Sequence, residues 1–192
     1  MARTAGVKDK VDKVAVALFA ERGVDGVSIA DIAIAAGVAQ GALYRHYRSK
    51  DELAGQLFAG AYLRTGAELA AISVGVAGFE ARIGAMVAHF CTLYDRDAAL
   101  FRFMLIAQHD LLPRVADAGP TPVEVIEAAI GDAVAGGDVG AIDPAAGAAV
   151  VMGIVLQTAL FHIYGRLTGR LSSRASALTR AAIAAVKALT AA

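Results

Sequence analysis

The chain has 192 residues, so it can form one domain or two small ones with a real core. Its 18 basic and 18 acidic side chains give zero net charge, which by itself is no argument for a nucleic-acid partner. The single cysteine, Cys91, excludes an internal disulfide and a zinc site built on paired cysteines. Residues 1–13 are charged rather than apolar, which excludes a secretory signal there and predicts a cytoplasmic protein.

The charges are unevenly distributed along the chain. Residues 1–50 hold eight Lys and Arg against five Asp and Glu, whereas residues 51–192 hold ten against thirteen. A basic N-terminal part joined to an acidic remainder suits phosphate binding at one end of the molecule.

The first fifty residues carry the signals of three helices. Apolar side chains share one face of a predicted helix over 7–22. Ser28 is a predicted N-cap with Asp31 three residues on, and Gly37 stops that second helix. A short third helix over 40–47 buries one leucine and presents Gln40, Tyr44, Arg45 and His46 on its other side. The pattern is typical of a helix-turn-helix, whose second helix enters the DNA major groove.

The remaining residues are also predicted to be helical. Ser49 and Glu52 form a capping box for a helix over 49–72, and residues 73–79 are a predicted domain seam. Further helices are predicted at about 79–94, 98–108, 122–135, 144–166 and 173–190. Because no strand-like alternation occurs, the predicted fold is all-α.

Several side chains of the third helix suit base recognition. Gln40 can pair with an adenine edge, and Ala42 can contact a thymine methyl group. Gly41 allows the backbone to approach DNA closely, and Arg45 can read guanine or neutralise a phosphate. Taken one by one, Gln40 also suits a solvated surface position.

One segment resembles a known family. The sequence AGVAQGALYRHYRSKDEL is similar to the signature of TetR-family transcriptional regulators, and VDKVAVALFAERGVDGVS resembles the family's first helix; the close match covers about residues 11–58. The resemblance implies that Tyr44 and Lys50 bind phosphates, that His46 is a further contact, and that Tyr47 is buried. The candidate DNA-binding residues are Ser28, Gln40, Gly41, Ala42, Tyr44, Arg45, His46 and Lys50.

The segment also departs from the family pattern. Ala39 and Ala42 stand where Ser and Thr are common, and Ala30 stands where an arginine often reaches DNA. Each alanine lacks a donor that could hold a phosphate, so weaker or more salt-sensitive binding is expected. The alternative roles are a half-buried core tyrosine for Tyr44 and an ordinary exposed lysine for Lys50.

The resemblance implies two domains. Residues 1–50 are the predicted helix-turn-helix DNA-binding domain, with three helices, and residues 51–192 are the predicted C-terminal helical ligand-binding and dimerisation domain, with the helix over 49–72 connecting them. The two last helices carry small and apolar residues at helical spacing, which predicts a two-fold homodimer. The predicted interface residues are Ala149, Met152, Gly153, Leu156, Leu178, Ala182, Ala185 and Leu189. Packing of these faces within one chain is the alternative.

A small-molecule site is predicted inside the C-terminal domain. The segment Ile83–Leu93 is apolar nearly all round, and aromatic and methionine walls with a few polar groups are typical of ligand pockets. The candidate residues are Met86, His89, Phe90, Leu93, Phe101, Met104, Gln108, Gln157 and Phe161. The inclusion of Gln157 and Phe161 depends on the family layout. A plain core with internally bonded His89 and Gln157 is the alternative.

Residues 145–161 are nearly long enough and apolar enough to span a bilayer, with three arginines following. Against a membrane role, Gln157 interrupts the run, no second span exists, and a buried central helix has the same composition. We therefore predict no membrane partner. No catalytic set, metal site or cofactor is predicted either, because the four histidines are scattered and no phosphate loop follows a strand.

The sequence predicts a repressor released from a pseudo-palindromic double-stranded DNA operator by a small apolar or amphipathic effector. Its half-sites should lie about one helical turn, 34–36 Å, apart or a multiple of that. The alternative is a helical DNA-binding interaction module that a protein partner controls without a small-molecule effector. An enzyme is not predicted.

Overall fold

A computed structural model describes residues 2–115 and 119–189, and within these ranges it contains helices and turns but no strand, so the predicted all-α fold is confirmed. Two short 3-10 turns, Leu112–Arg114 and Leu171–Arg174, accompany the α-helices. These helices are α1 (Ala2–Arg22), α2 (Ile29–Ala36), α3 (Gln40–Tyr44), α4 (Lys50–Gly75), α5 (Phe79–Arg96), α6 (Ala98–Leu111), α7 (Pro122–Ala135), α8 (Pro144–Ile163) and α9 (Ala175–Ala188).

The helices form two compact units. The head unit comprises Met1–Ala61 and Ala99–Asp117, and the body unit comprises Tyr62–Ala98 and Ala118–Ala192. The head therefore contains α6 and the start of α4 in addition to the three N-terminal helices. The two compact units meet within α4, between Ala61 and Tyr62, and not at residue 50. The predicted functional boundary at residue 50 is a different kind of division and stays a prediction.

The head unit is built around a cluster of aromatic rings, one pair stacked and one pair edge-to-face. Phe103 of α6 lies with its ring centroid 5.7 Å from that of Phe19 in α1 and 6.4 Å from that of Phe58 in α4. All three side chains are buried, as are Ile32 of α2 and Leu43 of α3. Aromatic pairs at these separations stabilise a core beyond the burial of their area. This core holds α2 and α3 on a rigid base.

The body unit packs around α5, which contacts α7, α8 and α9. The inner face of α5 buries Ile83, Met86, Val87 and Phe90. At Gly66 of α4 an added Cβ would stand 1.9 Å from the carbonyl oxygen of Pro120. Only a glycine permits this close approach of the segment that leads into α7.

A buried carboxylate anchors the connection between α8 and α9. Asp95 accepts hydrogen bonds from the backbone N–H groups of Leu171 at 2.8 Å and Ser172 at 3.1 Å, and from Nε of Arg170 at 3.3 Å. Its side chain is 7% exposed. Burial alone would raise the pKa of Asp95, but the hydrogen bonds from Ser172, Leu171 and Arg170 outweigh it and lower the pKa to about 2.

Replacing this carboxylate is expected to destabilise the body unit. Asp95→Asn should lower the free energy of unfolding at pH 7 by about 2 kcal/mol, because hydrogen bonds to a charged acceptor are lost. A depressed pKa stabilises the fold above the unfolded pKa of 3.8, and this contribution is lost as the pH falls towards about 2. The difference between parent and variant in urea unfolding should therefore shrink between pH 4 and pH 2. The exposed Asp138→Asn is the control, and an equal loss there would contradict the assignment.

Candidate nucleic-acid interface

The first helix of the helix-turn-helix is capped at both ends by its own sequence. Asp31 N–H donates to Oγ of Ser28 at 3.1 Å, and the N–H and hydroxyl of Ser28 donate to the Asp31 carboxylate at 2.8 and 2.6 Å. The hydroxyl and then the backbone N–H of Ser28 lower the pKa of Asp31, which stays ionised at the positive end of α2. Gly37 ends the helix in the left-handed conformation, with φ 63° and ψ 40°.

The second helix, α3, is only five residues long and turns its polar side outward. Leu43 is fully buried, whereas Gln40 is exposed and Tyr44 is 57% exposed. Of the other predicted contact residues, Gly41 and Arg45 are exposed, and Ala42 and His46 are half-buried. The helix ends at Tyr44 rather than at the predicted residue 47, and the turn that follows is closed by hydrogen bonds from residues 46 and 47 to the carbonyl of Leu43.

An open groove joins four of the predicted DNA-binding residues. Its volume is about 620 Å³, and its walls include Ser28, Gln40, Tyr44 and Lys50. Lys50 is the first residue of α4, which Ser49 begins by accepting a hydrogen bond from Glu52 N–H at 3.1 Å. An amide, a phenol, a hydroxyl and an ammonium group therefore share one surface of the head.

The groove also contains two carboxylates that are not among the predicted DNA-binding residues. Asp25 and Asp31 both line it. Asp31 is held by the cap of α2, whereas Asp25 is an exposed residue of the preceding loop. Asp25 lies only three residues before Ser28, and this short separation could have indicated that Asp25 lies near the predicted DNA-binding residues. Because two negative charges oppose the single ammonium group of Lys50, this surface should attract phosphates less than the predicted residues alone suggest.

Removing one of these charges is expected to strengthen DNA binding. Asp25→Asn should raise the affinity for every DNA duplex about two- to fivefold at low salt, because repulsion between exposed charges is modest and screened. Fluorescence anisotropy with operator and random duplexes would measure this gain. Asp138→Asn in the body unit removes the same charge and should change neither affinity. Unchanged or weaker binding by Asp25→Asn would show that Asp25 does not face DNA.

Tyr47 is a core residue, as predicted, but its hydroxyl also makes a polar contact that the sequence did not reveal. The side chain is 1% exposed, and its hydroxyl donates to Oδ1 of Asp12 in α1 at 2.5 Å. Lys8 donates to the other oxygen of Asp12 at 2.6 Å. Burial and then the bond to Asp12 raise the pKa of Tyr47, and the bonds to Asp12 and Tyr47 raise the pKa of Lys8. The phenol therefore remains a donor and Lys8 remains charged.

The predicted effector residues are divided between the two units. Met86, Phe90 and Leu93 are buried in the body, and His89 of the same helix is half-buried. In the head, Phe101 is buried, and Met104 and Gln108 are half-buried.

The predicted interior placement was wrong for the two candidate effector residues on α8. Gln157 is exposed and Phe161 is 43% exposed, so neither belongs to the interior of this chain. The physical reason is that α8 buries its opposite side, with Val151, Val155 and Ala159, in the body core. Because α8 is apolar nearly all round, the side that it turns outward is also mostly apolar.

Two imidazole groups of the body unit have buried nitrogens without a hydrogen-bond partner among the described residues. Nε2 of His89 lies 3.0 Å from the Glu68 carboxylate, so a protonated His89 has an ionic partner there. Nε2 of His162 is also unpaired, and its ring centroid lies 5.7 Å from that of Tyr94. Unpaired buried polar atoms are rare in native proteins and require an explanation.

The predicted dimer residues of α8 are on its outward side, whereas one of those on α9 is turned inward. Ala149 and Gly153 are exposed, and Met152 and Leu156 are half-buried. Ala182 is fully buried within the chain. Leu178 and Ala185 are half-buried, and Leu189 is 41% exposed. The exposed alanines of α9, which we call the alanine stripe, each stand one residue before a predicted position: Ala177, Ala181, Ala184 and Ala188. The same side of α9 also exposes Ser176, Arg180 and Lys187.

Within the described ranges, α8 is the single helix that is long and apolar enough to span a membrane. Only a third, 33%, of its most apolar window is buried inside the chain. One helix of this kind is weak evidence for a membrane protein, because the core helix of a soluble protein has the same length and composition.

Comparison with known sequences connects the head unit to a family. Residues 13–57 match the family model described as bacterial regulatory proteins of the tetR family. The chain is 44% identical over 48 residues to the HTH-type transcriptional repressor KstR2 of Mycobacterium tuberculosis, and 38% identical over 55 residues to KstR2 of Rhodococcus jostii. These matches span 25% and 29% of this chain and 24% and 27% of the relatives, so they cover about a quarter of the relatives' length.

Comparison with solved structures extends the similarity of fold to nearly the whole chain. The fatty acid degradation regulator FadR of Bacillus halodurans has a TM-score of 0.80 at 15% identity, covering 92% of this chain and 94% of that one. FadR of Bacillus subtilis in complex with stearoyl-CoA has a TM-score of 0.72 at 15% identity, with 92% and 97% covered. The TetR-family regulator PfmR of Thermus thermophilus has a TM-score of 0.75 at 20% identity, with 91% and 97% covered.

Proposed function

Because the chain carries a DNA-binding domain of the TetR family of bacterial regulatory proteins, we propose that it is a transcriptional repressor that binds a pseudo-palindromic operator. The observation that carries this proposal is the groove that unites Ser28, Gln40, Tyr44 and Lys50 on a capped helix-turn-helix. Gln40 would read a base edge, while Tyr44 and Lys50 would hold phosphates. Gly41, Ala42, Arg45 and His46 complete the proposed contact surface.

Regulators of this family bind DNA operators and act as dimers. We infer that the second copy covers the outward sides of α8 and α9. On α8 this surface includes the exposed Gly153, Phe161 and the following Tyr164, and on α9 it includes the exposed alanine stripe. Small residues let helix backbones approach closely, so two helices from each chain can form a bundle. A two-fold axis in the protein then requires matching symmetry in the operator.

We propose that the body unit binds an apolar or amphipathic effector that releases the operator. The buried side of α5, with Met86, Phe90 and Leu93, supplies an apolar wall, and the unpaired Nε2 of His162 would accept or donate a hydrogen bond to a polar group of the ligand. His89, beside the Glu68 carboxylate, is a second polar group of this unit. The Bacillus subtilis protein of similar fold binds stearoyl-CoA. Acyl-CoA thioesters are therefore the first ligand class to test.

Ligand and operator would be coupled through linkage. An effector that prefers the DNA-free conformation weakens operator binding, and the operator weakens effector binding by the same factor. The action of such a regulator is cytoplasmic and needs no catalytic step.

The proposal is tested by selecting genomic DNA fragments on the purified protein and then adding acyl-CoA thioesters of increasing chain length. We expect a palindromic consensus, and release of the selected fragments by at least one thioester. Selection without any consensus would exclude a sequence-specific repressor. A consensus that no small molecule releases, but that a protein partner controls, would support the interaction module instead.

A further inference from the structure

A charged cluster connects α1 to the segment that follows the reading helix α3. In this cluster, which we call the Asp12 clamp, Asp12 accepts a hydrogen bond from Tyr47 on one carboxylate oxygen and from Lys8 on the other. The ammonium group of Lys8 also lies 5.3 Å from the centroid of the Tyr47 ring. The Asp12 side chain is 20% exposed, which keeps both bonds partly shielded from water. Each of the three side chains contacts the other two.

The reading helix depends on such tertiary contacts because its local signals are weak. It has five residues, and its N-cap, Ala39, makes no side-chain capping bond. A helix of this length is not stable by itself. Burial of Leu43 holds α3 against the head core, but apolar contact has little directional preference, whereas a hydrogen bond does. The bond from Tyr47 to Asp12 is therefore a directional restraint close to the end of α3.

We propose that Asp12 is a positioning residue for DNA reading, and that the Asp12 clamp sets the preference of this protein for its operator over other DNA. The proposal rests on the proposed DNA-binding function. A short reading helix that can shift relative to α1 would still meet phosphates, which every duplex offers. It would lose the accurate placement of Gln40 that a base contact requires.

The clamp also controls a charge. While Asp12 holds Lys8, this ammonium group is compensated and does not act as a free cation. Removal of the Asp12 charge leaves Lys8 available for phosphates. Asp12→Asn should therefore weaken operator binding and at the same time strengthen binding to random DNA, and a residue that only stabilised the fold would not produce this opposite pair of changes.

The experiment compares five full-length proteins, the parent and four variants, on the selected operator and on a scrambled duplex of equal length, over a range of salt concentrations. The variants are Tyr47→Phe, Asp12→Asn, the double variant with both changes and, as a matched control, Asp9→Asn, which removes the same charge from an exposed position of α1. Circular dichroism melts establish that each variant is folded at the assay temperature.

We expect Tyr47→Phe to lower the ratio of operator to random affinity about five- to tenfold, with random affinity unchanged, because one charge-assisted hydrogen bond is lost. Asp12→Asn should lower the ratio at least as much, and the double variant should be no worse than Asp12→Asn alone. Asp9→Asn should keep the parent ratio.

The proposal would be overturned if folded Tyr47→Phe and Asp12→Asn both kept the parent's ratio of operator to random affinity. It would also be overturned if the two effects were additive in the double variant. Should Tyr47→Phe fail to fold, the comparison of Asp12→Asn with Asp9→Asn decides the question, and equal ratios would overturn the clamp. If the parent prefers no duplex, the proposed function fails and the clamp proposal fails with it. If the parent prefers its operator, only the clamp is at stake.

Discussion

Gly153→Glu is expected to produce a folded monomer that has lost at least ~100-fold in operator affinity, since a palindrome is bound tightly only when two linked heads engage it together. Gly153 is exposed on α8, and an added Cβ would meet no described atom of its own chain within 4 Å. The substitution should therefore be tolerated within one chain. Across a close helix–helix interface it would bury a charge, which is strongly unfavourable.

Sedimentation at micromolar concentration measures the oligomeric state, and gel shifts on the full palindrome and on one half-site measure its consequence. Gly60→Glu is the matched control, because Gly60 is also an exposed helical glycine with open space around it. It lies ten residues along α4 from Lys50, about 15 Å. The control should remain dimeric. A dimeric Gly153→Glu protein with parental affinity would place the interface elsewhere.

Substitutions in the groove are expected to separate base reading from phosphate binding. Gln40→Ala should relax the preference at one base position of each half-site by about 1–3 kcal/mol, because the amide loses its paired contact with a base edge. Lys50→Ala should weaken all sequences nearly equally and flatten the salt dependence by about one unit of slope. Tyr44→Phe should also weaken binding to all sequences nearly equally. It should leave the salt dependence unchanged, because the hydroxyl that is lost is a neutral donor.

Affinities for a set of single-base operator variants at several salt concentrations test these assignments. Gln56→Ala, which replaces an exposed glutamine of α4, is the control for Gln40. Arg64→Ala, which removes an exposed positive charge from α4 in the body unit, is the control for Lys50. If Gln40→Ala keeps the full base preference, another residue of α3 reads the operator. If Lys50→Ala keeps the parental salt slope, Lys50 is not a phosphate contact.

The helices of this protein could be predicted because their signals are local. Ser28 and Asp31 lie within one helical turn, and both capping bonds form as the sequence predicts. Thr121 and Glu124 cap α7 in the same way, with proline at the first helical position. Gly37 takes the left-handed conformation that a helix end favours. The outward placement of Gln40 and Tyr44 follows from the burial of Leu43 on a short helix.

The partner of the apolar side of α9 could not be predicted. Arg180 and Lys187 are exposed whereas Ala182 and Val186 are buried, as amphipathic spacing indicates. The same spacing suits packing within one chain and packing against a second copy, so the sequence gives no preference between these two arrangements. Packing of α9 against α5 and α8 decides between them, by burying Ala182 and Val186.

Tertiary structure alone also decided the two polar features of greatest functional interest. Asp12 in α1 and Tyr47 in the segment between α3 and α4 are 35 residues apart in the chain, so no periodicity relates them. Asp25 lines the proposed DNA-binding groove together with Lys50, which is 25 residues further along the chain. The local sequence determined that this chain is helical and where the short helix α3 lies. Contacts between distant segments decided which charges surround that helix, because only the folded chain brings those side chains together.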